Sequence, residues 1–427
     1  MKKIKLIVSD LGPIKQKTEI ELNQLVLLSG PSSSGKSYVA LLLYYIHSVL
    51  SGDELIRFFL DKKMDASILN ETKDLQGELF CLKKQDFQDW VDLNAIYFMR
   101  NMLNYPEFDA NIHVCFDEMP DNIIFRYEKN VVKKLNGEEI YNNIFIDGFD
   151  SKRELDNSMS LSGSLLFVRL FSEYLSSLYH MNVKNTFLLP PSRGSLVVVP
   201  SFLKDYLRSV FGMYREFFNV FDFIKDVQIP SVFSDQLSKE TLLEGSIGVV
   251  DGQLRYKTGV FDLPLTAAAA SIRELSPIQL LLQKGVISNY SILFEEPESN
   301  LHPELQIEVV DLISKLLKGD THFIVTTHSD FILRRINDLL RISLINKKLP
   351  LDESSVFFNV NNIDENLAID INNVTSYYFK KEESEVCVMK HDIIVEKGIT
   401  LDTIDNVLDK TLPYSIVLKE KIEEIYG

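Results

Sequence analysis

The sequence predicts an α/β fold: a mixed β-sheet flanked by helices, with a long, largely helical lobe inserted into it. Three observations carry this reading. A short apolar strand, Leu25–Leu28, runs into a loop of glycine and serine and leaves it as an apolar helix from Tyr38 to Leu50. From Ser271 onward, apolar strands alternate with helical stretches, the pattern of a sheet built from βα units. Between these two stretches lies an interval far longer than the connections of a compact sheet.

Taken in order, Ile4–Val8 and Thr18–Leu22 read as strands on either side of a Gly12-Pro13 turn. The loop that follows is Gly30-Pro31-Ser32-Ser33-Ser34-Gly35-Lys36-Ser37, the P-loop spacing G-x-x-x-x-G-K-[ST]. Its glycines let backbone N–H groups curl around a phosphate, and the helix that starts there turns its positive end toward it. Lys36 would reach the β- and γ-phosphates of a nucleotide, and the Ser37 hydroxyl would bind Mg²⁺. A chance Ser/Gly turn carrying a lysine would not need the flanking strand and helix. Residues 54–110 read as charged and mostly helical, and His113 to Ile146 as short strands with an Asn136-Gly137 turn. Residues 160–183 form an apolar helix. Phe202 to Val227 reads as another, whose Phe202, Tyr206, Phe211, Tyr214, Phe217, Phe218, Phe221 and Phe223 are expected in the core rather than in a base-stacking platform. Ile247 to Tyr256 is a hairpin turning at Asp251-Gly252.

The apolar strand Ser291–Phe294 ends in Glu295-Glu296-Pro297-Glu298. A buried strand delivering paired carboxylates at its end suits nucleotide hydrolysis, with Glu295 on the metal and Glu296 as the base that polarises water. The competing reading is an acidic cap on a helix starting near Pro297. A second apolar strand, Phe323–Thr327, ends at His328, which can sense a γ-phosphate by hydrogen bond.

Composition bounds the rest. The chain is 45% apolar and 25% charged, ordinary for a globular protein, and its net charge of −16 argues against a surface that grips nucleic acid throughout. Cys81, Cys115 and Cys387 have neither metal-ligand nor disulfide-framework spacing. The longest apolar stretch, Tyr38 to Leu50, is too short to span a bilayer, and no apolar leader opens the chain, so a cytoplasmic protein without membrane contact is expected.

The motifs also carry a resemblance. Ile292–Pro303, ILFEEPESNLHP, resembles the Walker B strand and D-loop of the OLD-like and AbiEii-like ATPases, a branch of the ABC-type ATPases to which RecF and the SMC proteins are more distantly similar. Thr326-Thr327-His328-Ser329 is similar to their switch, Asp10–Ile14 to their first hairpin, and Leu189-Pro190-Pro191-Ser192-Arg193 to a further segment. Within it Arg193 is either a functional arginine or an internal partner of a carboxylate. Ala270–Pro277 resembles the family's signature, which caps the ATP held by the opposite subunit. Leu161-Ser162-Gly163-Ser164 mimics the transporter form of that signature but lies too far upstream of the strand ending at Glu296. Ser271 also has N-cap chemistry, with Glu274 three residues on. Gln76, Gln85 and Gln88 are not distinguished as the family's Q-loop glutamine.

The resemblance implies an ABC-type P-loop ATPase head with a mixed β-sheet, using ATP and Mg²⁺. Its core is expected at 1–50 and 185–345, an inserted lobe at 51–184 with a helical extension at about 202–240, and a C-terminal α/β extension at 346–427. Strands near Ser355–Asn359 and Leu367–Ile371 and a helix from about Leu401 are expected in that extension, with no convincing nuclease set. It further implies a head-to-tail homodimer or higher oligomer. Lys36, Ser37, Glu295, Glu296 and His328 would come from one subunit and Ser271 from the other. Many such relatives serve in bacterial antiphage defence or toxin systems, so the resemblance implies a sensor or regulator with a separate nuclease or toxin effector. The other class left open is a RecF-like repair ATPase that binds duplex DNA.

Overall fold

The structure is a computed structural model. It describes residues 3–62, 77–134, 137–155, 163–226, 242–285, 287–383, 385–394, 398–400 and 402–426. Gln76, Asn136 and Leu161-Ser162 therefore lie outside the described residues.

Sixteen strands are described, in chain order β1 (Lys5–Ser9), β2 (Thr18–Glu21), β3 (Leu25–Ser29), β4 (Gly77–Lys83), β5 (Asn111–Cys115), β6 (Asn122–Lys134), β7 (Gly137–Ile146), β8 (Lys152–Leu155), β9 (Asn185–Leu189), β10 (Ser246–Val250), β11 (Gln253–Lys257), β12 (Asp262–Pro264), β13 (Tyr290–Glu295), β14 (His322–Thr327), β15 (Val374–Lys381) and β16 (Val386–Lys390). They form a six-stranded sheet in the order β16-β15-β3-β14-β13-β9, two three-stranded sheets, β2-β1-β5 and β10-β11-β12, and a four-stranded sheet β4-β6-β7-β8. The six-stranded sheet is mixed: all its neighbours run parallel except β15 and β16. The α/β architecture with a mixed sheet is thus the one expected.

The central sheet is covered on both faces, which is why its strands are continuous apolar runs rather than alternating ones. All five residues of β3 are buried. Val26 and Leu28 face a core with the helices Lys36–Ser51, Lys84–Leu103 and Gly163–Tyr179. Leu25 and Leu27 face a second core with the helices Gly212–Asp226, Ala270–Gln283, Pro303–Leu317 and Asp330–Lys348. The period of two along one strand therefore serves two hydrophobic layers. Parallel register then sets the site: Ser29 lies opposite Thr327, and Glu295 opposite Thr326, so the phosphate loop, the acids and His328 leave the sheet at the same edge.

Two expectations are revised. The stretch beyond 345 does not begin with strands. Leu351–Val360 is a helix, with Asp352 and Glu353 in its first turn where they favour its positive end. Residues 365–367 and 371–373 are single 3₁₀ turns held by the Asp364 and Asp370 side chains, which accept from the N–H groups of Asn366 and Asn372. The strands come later, as β15 and β16, and β15 pairs with β3, so this segment completes the central sheet. Among the described residues of 54–110, Leu55–Asp61 and Lys84–Leu103 are helical as expected, with β4 between them.

The aromatic stripe from Phe202 is also not one helix. It breaks at Phe211, which is extended, into Ser201–Val210 and Gly212–Asp226. The break places Gly212 against the Asn101 carbonyl, where a Cβ would come within 2.2 Å. Phe217, Phe218 and Phe221 are in the core as expected, but Phe202 is 76% and Tyr206 63% exposed, because Ser201–Val210 buries none of its residues. Other readings hold. Leu11 and Ile14 bridge across Gly12-Pro13, and Val250 pairs with Gln253 across Asp251-Gly252. The three cysteines are free, and Asp402–Tyr426 is a helix. Among the described residues no single helix is long and apolar enough to cross a membrane.

Candidate active site

The loop Gly30–Ser37 joins the end of β3 to the helix Lys36–Ser51. Gly30 has φ 131°, and a Cβ there would lie 2.6 Å from the Phe379 carbonyl oxygen of β15, so the loop sits tight against its neighbour strand. Gly35, at φ 88°, precedes the helix and offers its first turn no side-chain cap. Pro31, Ser32 and Ser33 form the outer wall of the loop, with Ser33 also left-handed at φ 59°, whereas Ser34 is buried and its hydroxyl has no hydrogen-bond partner. An uncapped helix start behind a glycine loop fits a phosphate, since those N–H groups need an acceptor.

Lys36 is 5% exposed. Its ammonium donates to the carbonyls of Gly30 (2.9 Å) and Pro31 (2.8 Å) and lies 3.3 Å from His328 Nε2. Ser37 Oγ donates to Glu295 Oε2 at 2.5 Å, although the two are far apart in sequence. The other oxygen of Glu295 is buried without a partner. A hydroxyl beside a carboxylate with a free oxygen is a hard donor set suited to Mg²⁺. Among the described residues no group of three or more His, Cys, Asp or Glu could hold a metal ion. Phosphate and water would therefore supply the remaining ligands.

Glu296 continues from β13 with a left-handed backbone, φ 43°, uncommon for a glutamate. Its N–H is fixed by Thr326, at 3.0 Å from the carbonyl and 3.2 Å from Oγ1. Its carboxylate meets His328 Nε2 at 3.5 Å and accepts from Ser299 Oγ at 3.3 Å. The structure thus gathers Lys36, Ser37, Glu295, Glu296 and His328 into one site.

Two acids are used differently from their sequence reading. The helix after the acids begins at Pro303, not near Pro297, so Glu298 is no helix cap. Its Oε1 accepts from Thr327 Oγ1 (2.9 Å) and the His328 N–H (2.6 Å), pinning the switch to the turn after β13. Likewise Ser271 and Glu274 form no capping box. The helix Ala270–Gln283 has Ala269 at its N-cap with no side-chain cap, which puts Ser271 inside the first turn. Ser271 makes no hydrogen bond to Lys36, Ser37 or the acids. Arg193 resolves to the internal alternative: it is fully buried, and its guanidinium donates to the backbone carbonyls of Glu295 (2.8 Å) and Glu296 (3.3 Å). Glu298 and Arg193 thus hold the site's geometry from behind. Gln85 donates to Asp89 and Gln88 to the Val114 carbonyl.

Burial sets the charges. It pushes the Glu295 carboxyl up to about 7 and pulls the Lys36 ammonium down to about 8. Contact with His328 instead holds Glu296 below its usual range. For Glu295 the folded chain keeps its proton up to about 7 and the unfolded chain only to the ordinary 4.5. Stability tied to that proton is therefore lost as pH rises through about 7. Glu295→Gln is expected to be more stable than the parent above pH 7 by about 2–4 kcal/mol in urea unfolding. The gap should close as pH falls toward 4.5. Equal stability at all pH would remove the buried charge from this account.

Residues 263–333 match a family model described as an AAA ATPase domain, a span that contains Ser271, Glu295, Glu296 and His328. No curated protein matches the chain by sequence. Among solved structures it is similar to an SMC head bound to the C-terminal winged-helix domain of ScpA (14% identity, 91% of this chain and 96% of that one, TM-score 0.38). It is also similar to the SMC head domain of Thermotoga maritima (10%, 92% and 100%, 0.32). A third is the Smc head with an extended coiled coil, bound to the C-terminal domain of ScpA, from Pyrococcus furiosus (11%, 96% and 98%, 0.35). The matched segment is similar to an AAA ATPase domain and holds the acids that end β13, at the end of the sheet from which the loop Gly30–Ser37 also leaves.

Proposed function

We propose that the chain is an OLD-like ATPase that hydrolyses ATP as a head-to-tail dimer. The observation that carries this reading is the convergence of Lys36, Ser37, Glu295, Glu296 and His328 at one sheet edge, while Ser271 makes no hydrogen bond to any of them. In each site one subunit would supply those five residues and the other would cap the nucleotide with Ser271. Ser37 and Glu295 would hold Mg²⁺, which supplies Lewis-acid polarisation of the phosphates. Lys36 balances phosphate charge. Glu296 takes the proton of the attacking water. His328 Nε2 lies 3.5 Å from Glu296 and 3.3 Å from Lys36; with its proton on Nε2 it would donate to Glu296 or to charge developing on the γ-phosphate.

Closure by ATP and reopening after hydrolysis make the dimer itself the two-state element. On the strength of the motif resemblance, that element would serve as sensor or regulator of an antiphage defence or toxin system whose effector is a separate protein.

Glu296→Gln is expected to retain ATP, lose about a hundredfold in turnover and elute as a dimer with ATP by size-exclusion chromatography with light scattering. Wild-type turnover would remove Glu296 from the base role, and a monomer at saturating ATP would remove the dimer.

A further inference from the structure

Glu274 lies on the helix that begins at Ala270, one residue short of a full turn beyond Ser271, and is 4% exposed. Its carboxylate is shared among three groups that lead to the catalytic acids. Oε2 accepts from the Gly194 N–H at 3.2 Å and lies 3.4 Å from Arg193 Nε. Oε1 accepts from Asn300 Nδ2 at 3.1 Å. The contact is close because residue 194 has no side chain: a Cβ there would stand 2.6 Å from Glu274 Oε1.

From Glu274 two routes run to Glu296. One passes through Arg193, whose guanidinium donates to the Glu296 carbonyl. The other passes through the turn after β13, where Asn300 is held by Glu274 and the adjacent Ser299 donates to Glu296 Oε2. Glu296 is left-handed, a conformation a glutamate keeps only where its surroundings fix it. Both its carbonyl and its carboxylate are thus restrained by groups that answer to Glu274.

We propose that Glu274 is a positioning residue that makes the orientation of the base Glu296 depend on where the start of the helix Ala270–Gln283 sits. Resting on the dimer reading above, that helix start meets the partner's nucleotide. Each subunit's base is then set by the ATP in the other's site, and the two sites work cooperatively.

The test measures ATPase rate against ATP concentration for the full chain and for two variants. Glu274→Gln keeps the side-chain shape but removes its charge. Asn300→Gly removes one amide from an exposed turn where φ is 57°, which glycine adopts freely, so it keeps the proposal testable if Glu274→Gln fails to fold. The parent is expected to show a Hill coefficient approaching two, the number of sites. Both variants should lose about tenfold in kcat with a Hill coefficient near one, while ATP affinity stays within about twofold. Glu274→Gln combined with Glu296→Gln should still dimerise with ATP. Variants with the parent's kcat, or with lowered kcat and an unchanged Hill coefficient, would overturn the relay. A monomeric Glu296→Gln would instead overturn the dimer reading beneath it.

Discussion

Arg193→Ala is expected to lower the free energy of unfolding by about 3–5 kcal/mol, measured by urea denaturation at neutral pH. The residue is fully buried, its guanidinium packs over the Phe294 ring at 4.7 Å, and burial pulls its pKa down to about 10. Removing it leaves the Glu274 carboxylate without its cation and uncovers the carbonyls of Pro190, Glu295 and Glu296 inside the protein. Each unpaired buried acceptor adds a desolvation cost, and truncation leaves a cavity as well. Arg193→Lys should recover part of the charge but not the forked contacts to two consecutive carbonyls. A loss below about 1 kcal/mol for Arg193→Ala would mean that water fills the space and that the network is not structural.

Lys36→Ala is expected to weaken ATP binding roughly a thousandfold by isothermal titration calorimetry. The loss should come without comparable loss of fold. The ammonium is desolvated and donates to two loop carbonyls, so its removal relieves burial as well as deleting two hydrogen bonds. Unchanged nucleotide affinity would remove the phosphate-loop assignment. The two substitutions separate readouts: Arg193→Ala acts on the frame behind the site, Lys36→Ala on its contents.

What was legible in the sequence was chemistry carried by short segments. The loop Gly30–Ser37 is defined by its own glycines and flanks, and the acids at 295 and 296 by the strand that delivers them, so both could be placed from local pattern alone. His328 followed because it ends the next apolar strand. Arg193 was marked by its segment, but which groups the supports hold was not legible, because each depends on pairs distant in sequence: Arg193 with Glu295, Asn300 with Glu274, and Glu298 with His328. Nothing near Glu274 distinguishes a network carboxylate from the capping glutamate it was expected to be. The outer strands were misplaced for a different reason. Apolar residues near 355 and 367 suit either period, and the decisive groups were Asp364 and Asp370, whose side chains close tight turns where strands were expected. The aromatic run after Phe202 showed the same limit, since one extended residue at Phe211 turns half of it away from the core.

The place of β3 bears on how the protein is made. This strand carries the phosphate loop, yet its two neighbours are β14 and β15, residues 322–327 and 374–381. During synthesis the strand emerges before both of its neighbours and waits with both edges unpaired until they follow. The sheet β4-β6-β7-β8, drawn from residues 77–155, is local in sequence and can close early. The central sheet around the phosphate loop is therefore completed only after residues 322–381 have been made.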